Sequence, residues 1–332
     1  MTSHKRRQRD IKLRLLHRRN LGDYSVIKDV VIYNTYLKDF LFPFLVRPGI
    51  VIDIGAHIGA FTVQACLTLK PNAVVAVEPE RSNFDYLQRN LSRFGLAKLV
   101  RPYQIALWDR DGKLRLYLQK LNTGGHSLLR QKAIVERAKL ARPDTQFVAV
   151  KTLDNLLADA GFEDAAIRVV KIDAEGAEVH ILRGASKALR RTAVVVGELH
   201  EGVVSIEQFR RCLNGFALAI GEPVSPLRTR IFWAVNCRLL RAGGAQADKF
   251  FTSARIADLS DVLRRFRDEK AGLQKELEER TRWALQLDKE LKERDAAIRQ
   301  LQKELEERTQ WALQLDKELQ ETRRRVIELQ QT

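Results

Sequence analysis

Residues 50–59 read Ile50-Val51-Ile52-Asp53-Ile54-Gly55-Ala56-His57-Ile58-Gly59. The apolar run from Ile50 to Ile54 predicts a buried strand, and Ala60 to Leu69 predicts a helix directly after the glycine-bearing turn. A strand that stops at glycines and feeds a helix makes an anion-binding corner. The glycines admit a ligand to the backbone, and the helix start offers N–H donors. Asp53 adds a carboxylate at the strand tip. A second strand, Ala73 to Val77, ends in Glu78, where an acidic side chain can accept both hydroxyls of a ribose. The pair points to a nucleoside-bearing cofactor.

A dinucleotide fingerprint needs G-x-G-x-x-G, its second glycine leaving room for a pyrophosphate. His57 holds that second-glycine place, which disfavours NAD. The pattern D-x-G-x-x-x-G, with an acid one βα unit later, fits S-adenosylmethionine instead. The amino-acid end of that molecule needs carboxylate and N–H partners rather than a pyrophosphate cradle. Asp53, Gly55, His57, Gly59 and Glu78 are the expected cofactor positions, joined by Ala106 after the third strand. An ordinary α/β turn would explain Gly55 and Gly59 alone, but not the acids beside them.

Further along, a helix is expected from Asn83 to Phe94 and strands at Leu99–Ile105, Leu114–Leu118 and Phe147–Val150. The loop Asn122 to Ser127 is polar and glycine-rich, either a connector or a lid. Ile167 to Glu178 then repeats the grammar of the first corner: an apolar strand, the acid Asp173, Gly176 and a helix. A fifth strand from Ala193 leads into Gly197-Glu198-Leu199-His200. Phe216–Ile220 and Ile231–Val235 are expected as a last, antiparallel edge pair. Alternating strands and helices predict an α/β, mostly parallel, doubly wound sheet. Ligands of such sheets gather at the carboxyl ends of the strands, where Asp53, Glu78, Asp173 and Glu198 are all expected.

The chain has 332 residues and a formal net charge of +16, enough for one sizeable domain with an appendage. Its three cysteines, Cys66, Cys212 and Cys237, are scattered, which suits a reducing compartment. No run reaches the ~18–20 apolar residues of a membrane span, so a cytoplasmic protein is expected. Residues 1–23 form a basic arm, with Ile11, Leu15 and Leu16 on one helical face. It is a solvated arm or a peripheral contact with the inner face of a membrane. It carries no interleaved aromatic residue to stack on bases, which counts against nucleic acid. Residues 24–240 are the expected cofactor-binding domain, with 24–46 packing on the sheet edge, and 241–255 the expected hinge.

From Ile256 to residue 330 the pattern turns to heptads. The a positions step from Ile256 to Val326 and the d positions from Leu259 to Leu329. Lys270 at a and Arg280, Arg294 and Arg308 at d weaken the seam. Gln274–Leu291 recurs almost unchanged as Gln302–Leu319, an offset of four heptads. A coiled coil is expected, joining copies of this chain or a partner protein.

Several of these motifs in series resemble FkbM-type methyltransferases. They are residues 51–59, Glu78-Pro79 with Asn83 and Asn90-Leu91, Thr152-Leu153-Asp154, Lys171-Ile172-Asp173-Ala174-Glu175-Gly176-Ala177-Glu178, and Glu198-Leu199-His200. The family commonly has Asn where this chain has His57. The resemblance spans roughly residues 45–235. It implies a class I Rossmann-like fold, S-adenosylmethionine and, frequently, O-methylation of sugars or natural products. A methyl transfer of that kind needs alignment of the acceptor oxygen and removal of its proton. Asp173 is the preferred group for that work, with Glu198 and His200 assisting and no metal expected. A methyltransferase carried on a coiled coil resembles bacterial surface-polysaccharide modifying proteins. The expectation is therefore O-methylation of a glycan hydroxyl. The alternative is a catalytically silent domain on a scaffold for polysaccharide-assembly enzymes. Such a relative would be expected to have lost Asp53, Glu78 or Asp173, and all three are present.

Overall fold

A computed structural model describes residues 10–18, 21–119, 123–129, 144–223, 229–238 and 246–330. In chain order the strands are β1 (Ile50–Ile54), β2 (Val74–Val77), β3 (Val100–Tyr103), β4 (Ala106–Leu107) and β5 (Gly112–Tyr117). They continue with β6 (Thr145–Lys151), β7 (Ile167–Ile172), β8 (Thr192–His200), β9 (Phe216–Ile220) and β10 (Thr229–Asn236). Seven form one sheet in the order β3-β2-β1-β7-β8-β10-β9. The first five of that order run parallel, while β10 is antiparallel to both β8 and β9. This is the doubly wound, Rossmann-like architecture expected. The order reverses between β1 and β7, where β1 turns to β2 on one side and meets β7 on the other. Such a switch point opens a crevice at the strand ends.

Alternation along each strand sends side chains to two cores. Val51, Val169, Val194, Val196 and Trp233 join one face, under the helices Ala60–Leu69 and Arg81–Arg93. Ile52, Ile54, Val170, Ile172 and Phe232 join the other, under Leu153–Asp159, Glu178–Arg183 and Ile206–Cys212. Burial on both faces explains why β1 reads as an unbroken apolar run.

The structure refines the expected architecture and corrects two expectations. Strands β4, β6 and β5 form a separate three-stranded sheet. The last two strands form the expected antiparallel pair at the edge of the sheet, with β9 outermost and β10 between it and β8. Residues 24–46 cover a sheet face rather than its edge: Tyr36 meets Phe61 edge-on, and Phe40 meets Trp233 of β10. Arg18 reaches the first corner, and Ile11 and Leu15 are buried, so residues 10–18 are packed on the domain rather than a solvated arm. Residues 1–9 lie outside the described residues.

The expected hinge is also different where it is described. A helix runs from Gln246 to Gln330 without interruption, and Phe250 is only 1% exposed. Its ring packs edge-on against Phe40 and Phe44. Met1–Leu263 is one compact unit and Arg264–Thr332 a second. In the second unit, Leu273, Leu277, Leu291, Leu301, Leu305 and Leu319 are exposed. Pairs four residues apart, such as Glu276–Arg280 and Asp288–Lys292, support the helix, each by about 0.2–0.5 kcal/mol. Among the described residues no helix is long and apolar enough to cross a membrane.

Phe250→Ala should therefore destabilise the first unit by about 3–5 kcal/mol, the usual cost of deleting a buried ring. Urea unfolding followed at the first transition measures it. A hinge residue would change stability by no more than about 0.5 kcal/mol.

Candidate active site

Beyond Ile54 the chain must turn where β1 and β7 come closest. Gly55 has φ +73°, and a Cβ there would lie 1.8 Å from the Asp173 carbonyl oxygen. Only glycine fits both the angle and the space. His57 also adopts a left-handed conformation, and its N–H donates to Glu78 Oε2 at 2.8 Å. That bond ties the first corner to the tip of β2. Glu78 accepts further from the N–H of Glu80 at 3.0 Å. Burial pushes the Glu78 carboxyl up to about 7 even though these N–H donors and Asn83 pull the other way.

A pocket opens between these tips. It is lined on one side by His57, Glu78 and Asn83, with apolar Val77, Ala106, Leu107, Leu116 and Ile181 beside them. On the other side lie Lys171, Asp173, Glu175 and Glu198. Of the expected residues, Gly55, His57, Glu78, Ala106, Asp173 and Glu198 thus meet in one cavity. Asp53, Gly59 and His200 do not line it. Asp53 is fully buried behind the wall, where it accepts from Thr62 Oγ1 at 2.5 Å. Gly59, with φ +88°, precedes the helix and lies close to Leu87. His200 is buried, with Nδ1 at 2.7 Å from Glu178 and Nε2 at 3.2 Å from Glu175. It therefore acts through Glu175 rather than at the cavity surface.

Lys171 joins the two corners. Its ammonium donates to the Gly55 carbonyl at 2.7 Å and sits 3.4 Å from Asp53 and 3.5 Å from Asp173. Burial alone would lower its pKa, but Asp53, Asp173 and Glu198 outweigh burial and raise it. The side chain is a cation inside the protein. Opposite it, the Tyr36 hydroxyl lies 3.1 Å from Asp173 Oδ2 and 3.2 Å from Glu198 Oε1. Burial first, then those two carboxylates, drive the Tyr36 pKa well above its ordinary value. A phenol that keeps its proton can serve as a donor to either carboxylate.

A network from distant segments backs His57 and Asn83 of the lining. Arg18 donates to Asp23 through Nη2 at 2.8 Å and to Asn83 Oδ1 at 2.5 Å. Thr123 Oγ1 donates to Asp23 at 2.8 Å, and Asn83 Nδ2 donates to the Thr123 carbonyl at 2.9 Å. Burial would raise Asp23, yet the bonds from Arg18 and Thr123 and the nearby His57 hold it below its ordinary value. Burial, offset in part by Asp23 and reinforced by Arg18, pushes His57 down to about 4. Its imidazole is neutral at physiological pH.

Asp173, Glu175 and His200 also bring ligand atoms within 4.8 Å of one another. Two oxygens and an imidazole suit a divalent cation, for which the Lys171 ammonium is a competitor at Asp173. Sequence reasoning missed Arg18, Asp23, Tyr36, Thr123 and Lys171 as parts of the site. For Lys171 a signal existed: a lysine that follows Val169-Val170 at the end of a strand and stands two residues before an acid.

Residues 53–216 match the family described as Methyltransferase FkbM domain. Over 204 residues the chain is 30% identical to the 31-O-demethyl-FK506 methyltransferase FkbM of Streptomyces tacrolimicus, across 54% of this chain and 77% of that one. It is 28% identical over 152 residues to the hexuronic acid methyltransferase AglP of Haloferax volcanii, across 46% of this chain and 56% of the relative. It is 27% identical over 144 residues to Methyltransferase 1 of Beauveria bassiana, across 40% and 57%. The chain spans little more than half the length of these last two relatives.

The raised Glu78 carboxyl has a consequence for stability. Its folded value of about 7 exceeds the ordinary 4.5, so the folded state holds this proton more tightly than the unfolded state. The stability it contributes is present below pH 4.5 and is lost as pH rises to about 7. Melting temperature against pH should show that decline, and Glu78→Gln should flatten it.

Proposed function

The chain belongs to the FkbM methyltransferase family, and from that premise we propose that it is an S-adenosylmethionine-dependent O-methyltransferase acting on a sugar hydroxyl of a bacterial surface polysaccharide or related glycan. One observation carries the reading. A glycine corner with Glu78 faces Asp173 and Glu198 across a single cavity, and the buried Tyr36 hydroxyl bridges those two acids.

The residues suit the cofactor. Glu78 can accept ribose hydroxyls, and the apolar side formed by Ala106, Leu107, Leu116 and Ile181 suits a flat purine. Asp173, Glu175 and Glu198 place negative charge where a sulfonium would be attracted. When bound, S-adenosylmethionine supplies an electrophilic methyl group whose leaving group departs neutral, so no strong acid is needed.

What the chain must do is orient the acceptor hydroxyl and take its proton. Asp173 is the base in this reading, because it lines the cavity and is fixed from two sides. Lys171 holds it by charge, and Tyr36 by a hydrogen bond. Glu198 shares the Tyr36 hydroxyl, so a proton arriving at Asp173 can be balanced within the same group. His200 orients Glu175 from behind. The hexuronic acid methyltransferase among the relatives supports a sugar acceptor.

The exposed leucines of Arg264–Thr332 support a coiled coil with a second copy or a partner protein. The paired substitution Leu277→Asp and Leu305→Asp should lower the mass of the full-length species in sedimentation equilibrium and leave turnover on a soluble acceptor unchanged.

With labelled S-adenosylmethionine and glycan acceptors, the wild type should transfer label. Asp173→Asn should lower kcat by about 10²–10⁴, the range for removing a general base, while cofactor binding persists. Tyr36→Phe should lower kcat less, by about tenfold, the equivalent of one hydrogen bond of about 1.4 kcal/mol. Cofactor binding without label transfer to any hydroxyl acceptor would leave the silent-scaffold alternative standing.

A further inference from the structure

The end of the sheet opposite the active site carries a second cleft. It lies where β7 and β8 begin and β10 ends, about 20 Å from Asp173 at roughly 3.3 Å per residue along β7. Five arginines line it: Arg47, Arg168, Arg190, Arg191 and Arg238. No acidic residue is among its described lining residues, and none of the five forms an ion pair with a described carboxylate. The nearest acids in sequence, Glu163 and Asp164, are exposed and stand outside the lining.

Such a concentration of like charge costs self-repulsion unless an anion offsets it. Two of the five are anchored. Arg168 donates to the carbonyls of Leu69 and Leu45, and Arg191 to those of Phe162 and Ala165. These bonds use part of each guanidinium and fix its plane without neutralising it. The Arg168 Nε–H is buried and meets no acceptor among the described residues. Arg47, Arg190 and Arg238 are exposed around this fixed floor. The cleft measures about 240 Å³, several times the ~30 Å³ share of one water molecule, so it admits a polyatomic anion.

We propose that this arginine-lined cleft is a second, non-catalytic binding site for a phosphate-bearing group, either a phospholipid headgroup or a soluble phosphate compound. Guanidinium forks match phosphate oxygens in bidentate pairs, which a scatter of lysines would not do. The anchored pair supplies fixed donors, and the exposed three supply charge that closes over the ligand.

The full-length protein tests this with two probes at low salt. One is inorganic pyrophosphate, followed by calorimetry. The other is phosphatidylcholine vesicles with and without phosphatidylglycerol, followed by co-sedimentation. The triple variant Arg47→Ala, Arg190→Ala, Arg238→Ala removes only exposed side chains, so its melting temperature and methyl transfer should match the wild type. Binding of the relevant probe should weaken at least ~tenfold in that variant and fall as salt rises. Vesicle capture that needs phosphatidylglycerol and is displaced by pyrophosphate assigns a lipid headgroup. Pyrophosphate binding without vesicle capture assigns a soluble phosphate. Failure of the wild type to bind either probe, or equal binding by the triple variant, overturns the site.

Discussion

One buried ammonium organises the catalytic half of this protein. Lys171 sits where the tips of β1 and β7 converge, and it bonds the backbone of one corner while neutralising acids of both. Taking a charge out of water is costly, and an ion pair repays that only when its partners are well placed. Here the partners are the Asp53 and Asp173 carboxylates and two main-chain carbonyls. Remove the ammonium, and two acids at adjacent strand ends lose their common counter-charge, one of them fully buried. The distance between the two corners, and with it the width of the pocket, depends on this contact.

The second constraint is backbone proximity. The parallel pairing of β1 and β7 leaves no space for a side chain at residue 55, just past their ends. The same holds at Gly197, where a Cβ would lie 1.8 Å from the Ile172 carbonyl oxygen. The strands can approach this closely only because those positions are glycine, and Glu198 follows Gly197 directly into the pocket. Specific small residues thus set where the acids end up, while the acids set the chemistry.

Much of the core was legible in the sequence. The bounds of β1 and of Ala60–Leu69 follow from an apolar run, a pair of glycines and a helical period, all within twenty residues. The acids Glu78, Asp173 and Glu198 were legible because strand tips of a parallel sheet converge by topology. Tyr36, Arg18, Asp23 and Thr123 were not legible. Nothing in their local patterns aimed these side chains at the site, and Tyr36 lies 137 positions from its partner Asp173. The small sheet of β4, β6 and β5 was not separable from the main one in the sequence, because short strands show the same alternation whichever sheet they join. The hinge expected at 241–255 is helical over 246–255, while residues 241–245 lie outside the described residues. Glycines 243 and 244 marked a break, but burial of Phe250 made the following residues a rooted helix rather than a linker.

The long helix carries the same eighteen-residue passage twice, and the copies differ only at Arg282 and Gln310. They are four heptads apart, about 42 Å along the axis at 1.5 Å per residue. Because the spacing is a whole number of heptads, both copies would present the same side to a partner only in a left-handed supercoil; in a straight helix they are turned by about 80°. Anything that grips the first passage meets a near-duplicate of it further along. In a pairing of two such helices the duplicated passages alone would allow a slipped alignment, so the residues outside them would have to set the register.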